Sequence, residues 1–232
     1  MKRCEEFLNL YRDLEEYLAA KAGGSRTGLV QDFASKEGQR YREELDVFRE
    51  MRNLLSHHGK IGNEYIVEPS DAAVALLREI LEFAKNPPVA MQAAVTYDRL
   101  FKADYRDRVS WVAEKMEQRG FSHVPVVNAN SRLVGVFSTG TLFSLLRSGE
   151  ERDAKTLLLG DIAEIIKPEK HLTEQYAFVD SNATCYKIKK LFNSEGPDVR
   201  RVAAVFVTEG GKRNGTLLGM ITPWDIIRLD SK

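Results

Sequence analysis

The chain has 232 residues, 43% of them hydrophobic and 29% charged, and its 34 basic and 34 acidic side chains cancel. That is the composition of a globular protein of one large or two small domains, and the charge balance argues against a surface built wholly around polyanions. Cys4 and Cys185 are too few for a disulfide framework or a cysteine metal site. No apolar run approaches the roughly 20 residues of a membrane-spanning helix, and the opening MKRCEEFLNL is too acidic for a secretory signal. The expectation is a reducing, cytoplasmic setting.

Residues 1–86 read as helix. Phe7, Leu10, Tyr11, Leu14, Tyr17 and Leu18 recur at three- and four-residue spacing and form one apolar stripe. The glycines of KAGGSRTG interrupt the pattern. A second helix begins near Leu29. A third runs from about Gln39 to Ser56, with Tyr41, Leu45, Phe48 and Leu55 on one face. Pro69-Ser70-Asp71 announces a fourth, whose face carries Val74, Leu77, Leu81 and Ala84. Nothing here alternates with period two, so the expectation is an all-α bundle of about four helices. Asn86-Pro87-Pro88 ends it, because adjacent prolines cannot continue a helix. Residues 87–92 are read as a linker.

Beyond the prolines the texture changes. Val124 to Val127, Leu133 to Phe137, Val202 to Val207 and Leu217 to Ile221 are short runs rich in β-branched residues. NANSR and TEGGKRNG separate the members of each pair, so both pairs read as hairpins. An amphipathic helix precedes each: Val109, Val112 and Met116 in one case, Ile188, Leu191 and Phe192 in the other. Leu133-Val134-Gly135-Val136-Phe137-Ser138-Thr139-Gly140-Thr141-Leu142 aligns without gaps on Leu217-Leu218-Gly219-Met220-Ile221-Thr222-Pro223-Trp224-Asp225-Ile226. The chain therefore repeats one unit: a first copy at 93–147, a connecting segment at 148–175 and a second copy at 176–232. Each copy reads strand, helix, strand, strand, helix. The fold class is α+β, multidomain.

GMITPWDI and its counterpart in the first copy resemble the cystathionine β-synthase-type (CBS) domain pair, over about residues 93–229. The resemblance implies two βαββα repeats about a pseudo-two-fold axis, with clefts that bind AMP, ADP, ATP, S-adenosylmethionine or a similar adenosyl compound as regulatory ligand. It implies that Asp225 accepts hydrogen bonds from ribose hydroxyls and that Thr222 sits beside the ribose and phosphate. Asp180 and Ser181 are expected at the mouth of the second site, with Arg201, Val202 and Ala203 lining its base pocket. Arg200 or Arg201 is a candidate phosphate partner, or else part of a solvated strand edge. In the first copy Ser138 matches Thr222, but Thr141 stands where the pattern has an acid. A neutral hydroxyl cannot accept two charge-assisted bonds as a carboxylate can, so the second copy is expected to carry the main site. Thr222-Pro223-Trp224-Asp225 is equally an ordinary helix start, with threonine at the cap, proline at the first position and the acid at the third. The two roles are compatible.

In the first half, Arg52-Asn53-Leu54-Leu55-Ser56-His57 resembles the Arg-x4-6-His signature of the HEPN superfamily, whose members are small helical bundles. This implies either a metal-independent ribonuclease with Arg52, Asn53 and His57 as catalytic residues, or a non-catalytic scaffold for dimerisation or partner docking. His57 would supply a base or acid near neutrality and Arg52 would stabilise a pentacoordinate phosphate. Arg52 falls within the apolar stripe of its helix, so it needs a partner: a bundle carboxylate or a second protomer. His58 offers a second imidazole. No P-loop, dinucleotide fingerprint, nucleophile elbow or clustered metal site is evident, and no metal is expected. The combined expectation is an adenosyl-ligand sensor, a homodimer by analogy with CBS pairs, that regulates a HEPN-like domain with RNA as the substrate if that domain is active. The alternative is a ligand-binding adaptor without catalysis.

Overall fold

The computed structural model describes residues 2–24, 27–57, 59–148, 156–194 and 200–230. It forms two compact units, Met1–Pro88 and Val89–Lys232. His58 lies outside the described residues.

The first unit contains α1 (Lys2–Lys21), α2 (Leu29–Ser35), α3 (Arg42–His57) and α4 (Asp71–Lys85), with a 3-10 turn at Gln39–Tyr41. α1 buries Cys4, Phe7, Tyr11, Leu14 and Leu18, alternating steps of three and four that make one helix face. Phe7 meets Phe48 of α3 edge to face, with ring centroids 5.4 Å apart. Burying a side chain of that size contributes about 1.5–3 kcal/mol. α4 starts where Ser70 accepts a hydrogen bond from the Ala73 N–H at 3.1 Å, a cap that contributes about 1 kcal/mol.

One departure from an all-α unit lies between α3 and α4. β1 (Lys60–Ile61) and β2 (Glu64–Tyr65) form a two-stranded antiparallel ribbon. Its turn is Gly62-Asn63, and Gly62 adopts φ 65°, the left-handed conformation a tight hairpin requires. Each strand has two residues, which is too short to display an alternating pattern.

The second unit contains α5 (Ala90–Ala93), β3 (Val95–Thr96), α6 (Val109–Arg119), β4 (His123–Val127), β5 (Leu133–Ser138), α7 (Thr139–Ser148), β6 (Glu174–Val179), α8 (Cys185–Phe192), β7 (Arg201–Thr208), β8 (Leu217–Ile221) and α9 (Pro223–Asp230). The expected linker at 87–92 needs correction. Val89 bridges Thr184, the Ala90 N–H donates to the Ala183 carbonyl at 2.7 Å, and Ala90 is fully buried. The chain beyond the prolines is therefore already part of this unit.

Both repeats have the same wiring. β4 pairs antiparallel with β5, and β7 with β8. β6 runs parallel to β7; in the first repeat its counterpart is reduced to a parallel bridge from Ala103 to Val126. β6 begins at Glu174, two residues inside the expected connecting segment. The segments leading into the repeats are exchanged. β3, at the start of the first repeat, pairs with β8 of the second. Ile166, ahead of the second, accepts a hydrogen bond from Val136 of β5 at 2.7 Å. The apolar run ahead of Ile166 belongs to the first repeat's core, where Leu157 and Leu159 are buried. A separate core joins the two hairpins through Leu133, Val136, Ala204, Phe206, Leu217 and Met220.

Candidate functional site

α9 starts immediately after β8, and the junction is held by Asp225. Its Oδ2 accepts the Thr222 N–H at 2.8 Å and the Thr222 hydroxyl at 2.6 Å, while the Asp225 N–H donates back to the Thr222 carbonyl at 3.1 Å. The carboxylate thus satisfies the cap's backbone donor, as the acid of a capping box does. The threonine hydroxyl donates to the acid and does not accept from the helix. Both bonds go to one oxygen, so Oδ1 takes no donor among the described residues. Such a carboxylate retains acceptor capacity for a ligand hydroxyl.

The first repeat closes the same junction differently. The Ser138 N–H donates to the Thr141 hydroxyl at 3.1 Å, and the Thr141 N–H donates to the Ser138 hydroxyl at 3.3 Å. The two residues are 0% and 2% exposed. They satisfy one another inside the protein, and neither carries a charge.

Thr222 and Asp225 open onto a cleft of about 370 Å³. Its apolar walls are Val95, Leu100, Phe101, Phe121, Met220 and Trp224, and its polar ones are Ser122, His123 and the guanidinium groups of Arg99, Arg119 and Arg228. The fold explains how these residues meet. β3 crosses to β8 and brings Val95 and the residues after it. α6 ends at Gly120, whose left-handed φ of 67° turns the chain so that Phe121 N–H closes onto the Met116 carbonyl at 2.9 Å. Phe121, Ser122 and His123 therefore face a helix start that belongs to the other repeat. Arg119 lies over the Phe101 ring at 5.2 Å, and no ion pair links Arg99, Arg119 or Arg228 to a described carboxylate.

The other expected site residues lie elsewhere. Asp180 closes a turn after β6, its Oδ1 accepting from the Asn182 N–H at 3.0 Å and from the Ser181 hydroxyl at 3.4 Å. Arg201 and Val202 open β7 opposite Glu174 and Gln175, with Ala203 at the bulge that follows. Arg200 donates to the His171 carbonyl at 3.1 Å. This strand end stands beside a second cleft, about 300 Å³, lined by Thr141, Phe143, Arg147, Lys170 and His171 among others. The Thr222/Asp225 cleft is walled instead by residues of both repeats. Sequence alignment of the repeats could not reveal this, because the wall depends on how the two repeats pack together. The one local sign was Arg119-Gly120-Phe121, a helix stop followed by an exposed aromatic.

The family model for the CBS domain matches residues 95–148 and 162–232, together more than half of the chain. The chain belongs to the CBS-domain family. Solved CBS structures are similar to it at low identity. A CBSX2 structure in complex with AMP is 17% identical, with a TM-score of 0.45 over 62% of this chain and 96% of that one. The putative acetoin utilization protein AcuB from Vibrio cholerae is 17% identical, with a TM-score of 0.46 over 62% and 90%. CbpB in complex with c-di-AMP is 16% identical, with a TM-score of 0.45 over 62% and 84%. No curated protein matches the chain. Residues 1–94 lie outside the CBS match, and no described helix is long and apolar enough to cross a membrane. Among the described residues, no group of three or more His, Cys, Asp and Glu side chains could hold a metal ion.

In the helical unit, Arg52 is partnered. Its Nη2 lies 3.3 Å from both Glu15 oxygens, its Nη1 donates to Asn53 Oδ1 at 3.1 Å, and its guanidinium stands 5.9 Å from the Tyr11 ring centre. Burial, then the nearby Glu15 charge, pushes the Tyr11 phenol up to about 12. Arg52 and Asn53 line a cavity of about 170 Å³ with Tyr11, Glu15 and Arg49. His57, exposed at the end of α3, is not part of it.

Proposed function

We propose that this CBS pair is a sensor for an anionic adenosine ligand, bound in the Thr222/Asp225 cleft, and that the helical unit is the arm it regulates. The observation that carries this reading is the chemistry of the cleft. A carboxylate with acceptor capacity suits ribose hydroxyls, Phe121 and Trp224 suit a planar base, and three arginines without carboxylate partners among the described residues suit phosphate. Their excess positive charge favours AMP, ADP, ATP or a cyclic dinucleotide over S-adenosylmethionine, whose sulfonium is cationic. The AMP and c-di-AMP of the CBSX2 and CbpB complexes belong to the same ligand class.

Calorimetry with AMP, ATP and S-adenosylmethionine tests the reading. Both nucleotides are expected to bind more tightly than the sulfonium compound. Asp225→Ala is expected to weaken AMP by about 1.5–3 kcal/mol, the scale of lost charge-assisted bonds. Unchanged affinity in the folded variant would overturn the assignment.

The helical unit supports two roles. A HEPN-like ribonuclease requires Arg52 to act on RNA together with His57. The Arg52–Glu15 pair favours the other role, a non-catalytic scaffold for dimerisation or partner docking.

A further inference from the structure

Glu174 stands between two histidines. Its Oε1 is 3.3 Å from His123 Nε2, and its Oε2 is 3.5 Å from His171 Nδ1. The Tyr176 hydroxyl donates to Oε2 at 2.8 Å and lies 3.3 Å from His171 Nδ1. The side chains of His123, Glu174 and His171 are 12%, 20% and 4% exposed. Nε2 of both imidazoles is buried without a hydrogen-bond partner among the described residues, so the His123 contact is an ion-pair distance out of hydrogen-bond alignment. Burial alone would push the Glu174 carboxyl up. The contacts from His123, His171 and Tyr176 outweigh it and hold the group well below the usual carboxylate range. Burial, and then the Glu174 charge, push the Tyr176 phenol up, so it remains a donor.

The histidines belong to different clefts. His123 lines the Thr222/Asp225 cleft, and His171 lines the cleft containing Thr141. We propose that Glu174 couples the protonation of His123 to that of His171, making His123 a proton-carrying wall of the Asp225 cleft whose charge strengthens phosphate binding. Around His123 stand Glu174, Tyr176, Asp225, the Ser122 hydroxyl and the cleft arginines Arg99, Arg119 and Arg228. Around His171 stand Glu174, Tyr176, Lys170 and Arg147, with Arg200 on its carbonyl. One proton on either imidazole neutralises Glu174; a second leaves a net positive charge. A phosphate beside His123 favours the protonated form, so by linkage its affinity rises as pH falls.

The binding half of this proposal rests on the nucleotide reading above; the coupling half does not. NMR titration of the imidazole signals of ligand-free protein tests the coupling in the wild type, Glu174→Gln and His171→Gln. The His123 curve is expected to move in both variants, with dispersed spectra confirming that each is folded. A His123 curve identical in all three overturns the coupling, whatever the ligand. Calorimetry at pH 6.0 and 7.5 tests the binding half with the methyl ester of AMP, whose single charge does not titrate in this range, and with neutral adenosine. The ester is expected to bind roughly five- to tenfold more tightly at pH 6.0, the size of one ion pair at a partly solvated wall. His123→Gln should abolish that difference, and adenosine should not show it. Equal ester affinity at both pH values overturns the phosphate linkage. Failure of both ligands to bind at either pH counts against the nucleotide reading and takes the binding half with it, while the NMR arm still decides the coupling.

Discussion

Arg132 and Thr216 form an antiparallel bridge with one another. Each stands one residue before the last strand of its repeat, so they are the same position in the two copies. Two equivalent residues can pair antiparallel only about a two-fold axis, and the pseudo-symmetry of the CBS pair therefore passes between them. The Leu217 N–H, which donates to the Ser131 carbonyl at 2.8 Å, reinforces the junction. That axis is what carries β3 to β8 and Ile166 to β5, and it builds the Thr222/Asp225 cleft from both repeats.

The exchanged segments explain the glycines at positions 135 and 219. A Cβ on Gly219 would lie 2.9 Å from the Val95 carbonyl oxygen, and one on Gly135 would lie 2.7 Å from Ile166 Cγ1. A Cβ on Gly135 would also meet the Ile166 carbonyl oxygen at 3.1 Å. Gly219→Ala and Gly135→Ala are therefore each expected to destabilise, within the roughly 1–3 kcal/mol of an overpacked site. Urea midpoints measure both. A Gly219→Ala protein as stable as the wild type would contradict the close crossing of β3.

Glu174 sets the acid limb of stability. Its folded-state carboxyl lies below the unfolded value of about 4.3, so the unfolded chain binds more protons in that window. The stabilisation is present above the unfolded value and is lost as pH falls towards the folded one. Between about pH 5 and 3 the wild type should lose stability more steeply than Glu174→Gln, as read from urea midpoints along the series. Parallel profiles would show that the carboxylate is not held by its neighbours.

Phe143, Leu146, Trp224 and Ile227 are 69%, 79%, 71% and 54% exposed, as pairs three apart on α7 and on α9. Large apolar side chains in such numbers mark an interaction surface, and the expected occupant is a second copy. Sedimentation equilibrium is expected to give twice 26.3 kDa. Leu146→Glu or Ile227→Glu should weaken association by about tenfold or more, roughly 1.4 kcal/mol. A monomer at tens of micromolar would refute the dimer.

The elements that could be read from sequence are those whose signal is local. The stripe of α1 follows from Phe7, Tyr11, Leu14 and Leu18, and the start of α4 from Ser70. The repeat is visible because Gly135-to-Thr141 and Gly219-to-Asp225 keep one spacing. What escaped depends on distant partners. Arg99, Phe101, Arg119 and His123 join Asp225 in one cleft only through the packing of the two repeats. The family resemblance directs attention to Asp180, Ser181, Arg201, Val202 and Ala203, which do not line the Asp225 cleft. β1 and β2 are too short and exposed to leave a pattern. The partner of Arg52 was predictable in kind, since a guanidinium on an apolar stripe needs a carboxylate, but nothing local singles out Glu15.

That partner shapes the expectation for RNA. An arginine that stabilises a pentacoordinate phosphate must be available to it, and Arg52 is shared among Glu15, Asn53 and the face of Tyr11, with His57 outside the cavity they line. Incubated with a diverse single-stranded RNA pool in EDTA, with and without AMP, the wild type is expected to leave the pool intact. Arg52→Ala should then act on stability alone. Arg52 and Glu15 are each about a third exposed, so solvent screening limits the loss to roughly 0.5–1 kcal/mol. The opposite result is equally distinctive. A HEPN-type nuclease using the RNA's own 2′-hydroxyl would leave 2′,3′-cyclic phosphate ends. Arg52→Ala and His57→Ala would each lower its rate by on the order of 100-fold or more, the scale of a lost oxyanion stabiliser or acid–base group. Such cleavage, lost in both variants, would replace the scaffold reading with the catalytic one. Cleavage surviving both substitutions would be assigned to a contaminant and would leave the scaffold reading standing.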